Sequence, residues 1–298
     1  MTYDIIILTQ QKYIDPVHLD VYIQNVLIED ELVQKNLEAL GLKVRRVSWD
    51  DDSFDWTTTK YALFRATWDY FDRFPEFSKW LEIVSKQTTL LNSEAIIRWN
   101  IDKHYLLDLM KEGIHIAETH FIEQGSSIKL KELHQKLGWK DTVLKPCISG
   151  AARHTYKLNS ENLESYETIF QELIVNEAMM LQPFQHNIVD KGEISMMVFN
   201  GQFTHAVLKI AKAGDFRVQD DFGGSVHDYT PNAKEITFAE NCVKACKELP
   251  MYARVDIFID NEGQIALSEL ELIEPELWFR NYPEAANFFA KAIKNLVK

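Results

Sequence analysis

Four charged residues near the C-terminus have types and spacing suited to cation chemistry. ARVDIFI (253–259) and IALSELELIEP (265–275) read as two β-strands joined around Asn261-Glu262-Gly263. Side chains alternate faces along a strand, so Arg254 and Asp256 share one face of the first strand, and Glu269 and Glu271 share one face of the second. If Glu262-Gly263 is the two-residue turn, Asp256 opposes Glu269 and Arg254 opposes Glu271. Like charges directly opposite destabilise a sheet, so three carboxylates around one arginine call for a further cation. Hard oxygen ligands without His or Cys suit magnesium. The other reading is a solvated acidic face. The same reading places Phe258, Ile265 and Leu267 on this face, which makes it more than a plain polar surface.

A second cationic feature is Lys145, which ends an apolar strand (Thr142–Lys145, closed by Pro146) just before the small-residue turn Ser149-Gly150-Ala151-Ala152. A lysine there can reach a polyphosphate while the loop amides of Ser149 and Gly150 cradle its oxygens; it can also simply snorkel to solvent. The P-loop pattern is absent. Lys103 reads as a lone helix lysine. Gln182-Pro183-Phe184 ends another strand and can line an adenine pocket with backbone donors and acceptors, or serve as a hinge with no ligand.

These groups need a scaffold, and the chain has room for roughly two domains at about 150 residues each. It has 298 residues, 46% of them hydrophobic and 26% charged. The net charge of −13 argues against non-specific binding to nucleic acid or an anionic membrane. The N-terminus lacks a signal-peptide pattern, and no segment has the roughly 18 apolar residues of a membrane helix. Three cysteines, Cys147, Cys242 and Cys246, do not make a disulfide framework. Cys242 and Cys246 share one face of a helix and read as small buried residues, so the expected compartment is a reducing cytoplasm.

Strands at Tyr3–Leu8, Val44–Val47, Tyr61–Phe64 and Leu90-Leu91 alternate with helices at Glu31–Leu40 and Pro75–Lys86. This pattern predicts a parallel α/β domain over residues 1–93; it has no G-x-G-x-x-G turn. Residues 94–184 read as an α+β unit: a helical stretch from Ser93 to Glu112 with a break, strands at Ile116–Ile122, Thr142–Lys145 and Met179–Phe184, helices at Leu130–Leu137 and Ser160–Leu173, and a segment His154–Leu158 into which the small-residue turn leads. Residues 185–298 carry a hairpin at Asn200-Gly201, the strongest short hairpin signal, then the Gly-rich segment GDFRVQDDFGGS, a helix at Ala233–Leu249, the acidic hairpin and a closing helix at Tyr282–Val297.

In this order the pieces resemble the ATP-grasp superfamily, and the resemblance spans nearly the whole chain. GDFRVQDDFGG is similar to the substrate and phosphate loop of the prokaryotic glutathione-synthetase-like branch, and SELELIEP to its metal strand. RATWDYFDR, LNSEAIIRWNIDKHYLLDL and LQPF are similar to the cyclo-ligases of D-cycloserine synthesis. The resemblance implies an N-terminal Rossmann-like (pre-ATP-grasp) domain, a central lid domain and a C-terminal mixed-sheet domain, with ATP and magnesium as cofactors. It assigns ATP phosphates to Lys103 and Lys145, and the adenine border to Gln182 and Phe184. Asp256, Glu269 and Glu271 would hold magnesium, with Glu269 bridging two ions. Arg217 and Arg254 would hold the acyl phosphate or substrate. Two features depart from the branch: Glu271 stands where Asn is usual, and the Ser149–Ala152 loop is poor in glycine.

The implied reaction is carboxylate-amine or cyclo-ligation through a phosphorylated acyl intermediate on a small amino-acid-like or peptide-like substrate. A phosphotransferase that stops after the first step and a non-catalytic nucleotide-binding module are the alternatives. A homo-oligomer is compatible with the resemblance. Arg65–Tyr70 sits at a strand end where α/β domains place ligands, or it packs between domains.

Overall fold

The computed structural model describes residues 2–150, 152–218 and 223–297. The chain begins with β1 (Tyr3–Thr9), α1 (Val21–Ala39), β2 (Val44–Ser48), β3 (Thr59–Phe64), α2 (Phe74–Val84) and β4 (Thr89–Leu91). These strands form a parallel sheet in the order β2-β1-β3-β4. Next come α3 (Glu94–Asn100), α4 (Tyr105–Lys111), β5 (His120–Ile122), α5 (Leu130–Leu137), β6 (Thr142–Pro146), β7 (Tyr156–Leu158), α6 (Leu163–Asn176) and β8 (Met179–Pro183). The strands of this stretch pair antiparallel in the order β5-β8-β6-β7. The remainder holds α7 (His186–Lys191), β9 (Glu193–Phe199), β10 (Gln202–Ile210), β11 (Ser225–Tyr229), α8 (Ala233–Lys244), β12 (Tyr252–Ile259), β13 (Ile265–Glu271) and α9 (Pro283–Leu296). Its sheet runs β11-β10-β9-β12-β13, antiparallel throughout, and one parallel bridge from Ile116 to Leu267 makes its edge mixed.

Helix α1 starts ten residues before the expected Glu31. Its N-terminal half hides its amphipathic pattern because two of its buried residues are acids, Glu29 and Asp30. Arg46 pairs with Asp30 at 3.0 Å, and Glu29 accepts from the backbone N–H groups of Phe279 and Arg280. Asp20 caps the helix by accepting from the Ile23 N–H. The strand expected at 116–122 shrinks to three residues, since Ile116 leaves to bridge β13.

Helices α3 and α4 share one hydrophobic core with β9, β12, β13 and α8: Ile96, Leu106 and Leu109 pack with Met196, Val255, Leu270 and Val243. The β5-β8-β6-β7 sheet buries a separate cluster with α5 and α6, including Leu133, Leu144 and Phe170. Edge strand β13 is covered by polar side chains. Asn100 donates to the Leu270 carbonyl and accepts from the Leu272 N–H, while the Tyr105 hydroxyl accepts from the Leu270 N–H. Asn92, 2% exposed, joins the parallel sheet to the rest, donating to the carbonyls of Tyr252 and Leu272 and accepting from the Met251 N–H.

Asn92→Ala strands these buried backbone groups, each worth roughly 1–3 kcal/mol when left unmade. The expected loss is about 3 kcal/mol, measurable by urea unfolding; a loss below about 1 kcal/mol would remove Asn92 as the joint between the sheets.

Candidate active site

The acidic hairpin meets the expected pairing by an unexpected route. Its connection is three residues long, Asn261-Glu262-Gly263, so the strands enter one step out of the register a two-residue turn would set. A bulge at Ser268 takes the step back, and Asp256 still opposes Glu269 while Arg254 opposes Glu271. The bulge also reverses part of the face. Ala266, not Leu267, lies opposite Phe258, and Ile265 and Leu267 pack into the opposite core with Ile257.

On this face Arg254 grips Asp256 through Nε at 3.0 Å and Nη2 at 2.8 Å, and its Nη2 also bonds Glu271. Strand β9 lies beside β12 and sets Ser195 opposite Asp256; the hydroxyl donates at 2.6 Å. Strand β10 brings Lys209, whose buried ammonium sits 2.6 Å from Glu193 and 3.2 Å from Asp256. Ser268, the bulge residue, donates to Glu193. Burial opposes ionisation of Asp256, yet the Arg254 and Lys209 charges hold its carboxyl well below the usual carboxylate range. Burial pushes Glu271 up to about 8, with the Asp256 and Glu269 charges adding to it against the pull of Arg254.

Lys103 stands in the turn between α3 and α4, not on a helix, and it is 7% exposed, not solvated. Its ammonium pairs with Glu269 at 3.0 Å and donates to the Ser149 carbonyl at 2.6 Å. Lys145, on β6, faces the same space; burial lowers its pKa and Glu269 partly restores it. Among the described residues its ammonium makes no hydrogen bond or ion pair. The Ser149-Gly150 turn packs under Phe71, and a Cβ on Gly150 would lie 2.6 Å from that ring. Ala151 lies outside the described residues.

These groups line one cleft of about 610 Å³, which also takes in Gln182, Phe184, Arg217 and the N-terminal residues Trp68 and Tyr70. Its size suits a nucleotide-sized ligand. Val143, Ala117 and Phe258 add apolar lining to the cleft, and the Lys157 ammonium stands 3.5 Å from the centre of the Phe184 ring. The Phe184 backbone does not offer free groups to a base: its N–H donates to Asp141 and its carbonyl accepts from Asn261. The Gln182 amide donates to Thr119. Arg217 pairs with Asp215 at 2.7 Å at the cleft rim, and residues 219–222 of the Gly-rich segment lie outside the described residues. Part of Arg65–Tyr70 is packing: buried Arg65 donates to the Pro275 carbonyl and Trp68 to the Glu274 carbonyl.

Sequence reasoning missed Glu193, Ser195 and Lys209. A plain Asn-Gly hairpin would set Lys209 opposite Gly192; a bulge between Phe203 and His205 moves it opposite Glu193. The signal was present in the polar residues of two otherwise apolar strands, but an unseen bulge misplaced it by one residue.

Each of the three expected metal ligands already has a cationic protein partner. Arg254 and Lys103 occupy their oxygens, supplying positive charge where a metal ion would. The Glu271 carboxyl is raised first by burial and then by the neighbouring carboxylate charges. Because its folded value near 8 lies above its ordinary 4.5, the folded chain binds more protons than the unfolded chain in that window, and stability falls as pH rises through it. Urea midpoints of wild type should therefore fall relative to Glu271→Gln from pH about 4.5 to about 8; parallel pH profiles would refute the raised value.

The chain matches the RimK-like ATP-grasp domain family over residues 102–272, more than half its length, and the N-terminal domain family of the D-cycloserine synthetase DcsG over residues 5–92. A curated relative, the cycloserine biosynthesis protein DcsG of Streptomyces lavendulae, is 25% identical over 278 residues, covering 87% of this chain and 91% of that protein. The crystal structure of D-cycloserine synthetase DcsG superposes with a TM-score of 0.86 at 23% identity, covering 99% of both chains. A D-alanine–D-alanine ligase from Bacillus anthracis, complexed with ATP, does so at 0.65 and 16% identity, covering 99% of this chain and 97% of that one. With a cleft that gathers lysines, arginines and carboxylates between its sheets, the chain belongs to the RimK-like ATP-grasp family of ATP-dependent ligases.

Proposed function

We propose that the chain is a magnesium-dependent carboxylate-amine or cyclo-ligase acting on a small amino-acid-like or peptide-like substrate through an acyl phosphate. The observation that carries this reading is the Lys145 ammonium, which faces the cleft without a partner among the described residues while the cations around it are paired. Arg254, Lys209 and Lys103 are matched by Asp256, Glu271, Glu193 and Glu269. Lys145 is the cation left for an incoming anion, and desolvation strengthens its hold. A polyphosphate brings more negative charge than one lysine neutralises. Asp256, Glu269 and Glu271 offer only oxygen donors, and they would hold magnesium, which would supply charge neutralisation at the phosphates.

In this reading Lys103 and Lys145 orient the ATP phosphates, the Ser149-Gly150 turn lies over them, and the wall at Gln182 and Phe184 borders the adenine. Arg217 and Arg254 steady the transferred phosphoryl group and the activated carboxyl. An amine then attacks the carbonyl carbon, and phosphate leaves. Phosphoryl transfer depends mainly on positioning and charge stabilisation, which agrees with a cleft of fixed charges. The working division is a substrate-side domain at 1–93, a lid at 94–184 and a catalytic domain at 185–298, in a cytoplasmic setting where ATP and magnesium are abundant. The substrate end of the cleft lies toward Trp68 and Tyr70, where closure would exclude water.

ATP with magnesium should raise the melting temperature; ligand at 100 times its Kd adds about 2.7 kcal/mol. Lys145→Ala should lose most of this shift, and Lys145→Arg should not recover it, because a planar fork does not replace a point charge. Retention of the full shift by Lys145→Ala would end the phosphate-binding role.

A phosphate-release screen with ATP, magnesium and a panel of amino acids, ureido amino acids and dipeptides tests the reaction itself. On any substrate so found, Glu269→Gln should cut turnover by about 10²–10³-fold or more while its magnesium-free melting temperature stays level or rises. Turnover near wild type would falsify the metal assignment.

A further inference from the structure

Outside the carboxylate face, a second cluster has the chemistry of a metal site with different preferences. Asp102 and His104 flank Lys103 in the α3–α4 turn, and Cys147 follows the end of β6. One ligand atom from each lies within 4.8 Å of the others. Imidazole, thiolate and carboxylate together suit a borderline ion such as zinc and do not suit magnesium. We infer that Asp102, His104 and Cys147 form a zinc-type site, distinct from the oxygen ligands of the cleft, with Glu123 as the carboxylate that orients His104.

Several contacts already arrange the cluster. The His104 ring stacks on Phe121 at 4.3 Å between centroids, which fixes its plane. Its Nδ1 lies 2.5 Å from Asp102 Oδ1, whose oxygen also accepts from the His104 N–H. Nε2 is buried and without a hydrogen bond, and Glu123 Oε1 lies 3.4 Å away. The Nδ1–Oδ1 contact is a hydrogen bond in the metal-free chain, so an ion bound by Nδ1 and Asp102 takes the place of its proton and opens the contact; Nε2 then carries the ring proton toward Glu123, the arrangement in which a carboxylate sets the tautomer and basicity of a metal-bound histidine. The Lys103 N–H donates to the Cys147 carbonyl at 2.9 Å and ties the two segments together.

Access and charge are consistent with loading. Cys147 is 1% exposed, whereas Asp102 and His104 have side chains 42% and 29% exposed, so an ion enters from their side. Burial pushes the Cys147 thiol up, as do the Asp102 and Glu123 charges, while Lys103 and Lys145 act the other way. Binding therefore displaces the thiol proton to solvent as the sulfur–metal bond forms. Three protein ligands leave a fourth position for water. The site brackets Lys103 and stands two residues from Lys145, so its occupancy bears on the groups assigned above to the ATP phosphates. The pairing was invisible in the sequence, where α4, β5, α5 and β6 separate His104 from Cys147.

The test is cobalt(II) titration of the untagged full-length chain in excess magnesium, read as thiolate-to-cobalt charge-transfer absorption. We expect a band that saturates at one equivalent and is removed by zinc. Cys147→Ser should abolish it and Cys246→Ser should retain it. His104→Gln should weaken binding at least tenfold, and Glu123→Gln by about tenfold, the lower end for an orienting carboxylate. No band in wild type, or a band that survives Cys147→Ser, overturns the site. If Cys147→Ser does not fold, the partly exposed His104→Gln decides: unchanged cobalt affinity overturns the site equally. This readout needs neither ATP nor a substrate, so it stands or falls apart from the ligase reading.

Discussion

The cleft depends on keeping Asp256 ionised while it is 3% exposed. An unpaired charge at that depth costs several kcal/mol, so the fold must deliver cations and donors to its two oxygens. Arg254 comes from the same strand, Ser195 from the neighbour and Lys209 from the strand beyond. Each donor then needs its own balance. Lys209 takes Glu193 and Arg254 takes Glu271. On the adjacent edge Glu269 takes Lys103. The result is a row of alternating charge from β10 to the α3–α4 turn, and a change in strand register anywhere along it would strand a buried ion.

That requirement explains the bulges. The hairpin between β12 and β13 uses a three-residue connection, and the Ser268 bulge restores the alignment of Asp256 with Glu269. The hairpin between β9 and β10 starts from Asn200-Gly201, and its bulge aligns Lys209 with Glu193. Bulges re-aim side chains locally while the rest of the sheet keeps its pairing. The same constraint reaches the edge of the sheet. Exposed edge groups on β13 invite foreign pairing; Asn100 and Tyr105 satisfy them, and the turn between their helices delivers Lys103 to Glu269. Covering the edge and placing a cleft lysine are thus achieved by one segment.

Much of the fold was legible because local signals agreed with it. The hairpin of β9 and β10 was legible because a mostly apolar stretch runs straight into Asn200-Gly201. The parallel α/β start showed in its alternation of strands and helices. The misreadings have separate physical causes. Glu29 and Asp30 masked half of α1, and Ile116 was spent on a bridge to Leu267. β11 and α7 were missed because the first is short and half-exposed and the second has six residues, none buried.

The sequence alone determined which chemistry was available. Residue type and period-two spacing put Arg254, Asp256, Glu269 and Glu271 on one face, and the order of motifs marked the family. Tertiary structure decided who partners whom. It turned Lys103 from an apparent helix lysine into a buried partner of Glu269, brought Lys209 and Glu193 into the charge row, and engaged the Phe184 backbone groups with Asp141 and Asn261. The physical reason is that electrostatic partnership depends on distance and burial. Both are set by the packing of sheets far apart in the chain and by one-residue bulges that leave no mark in the pattern of apolar residues.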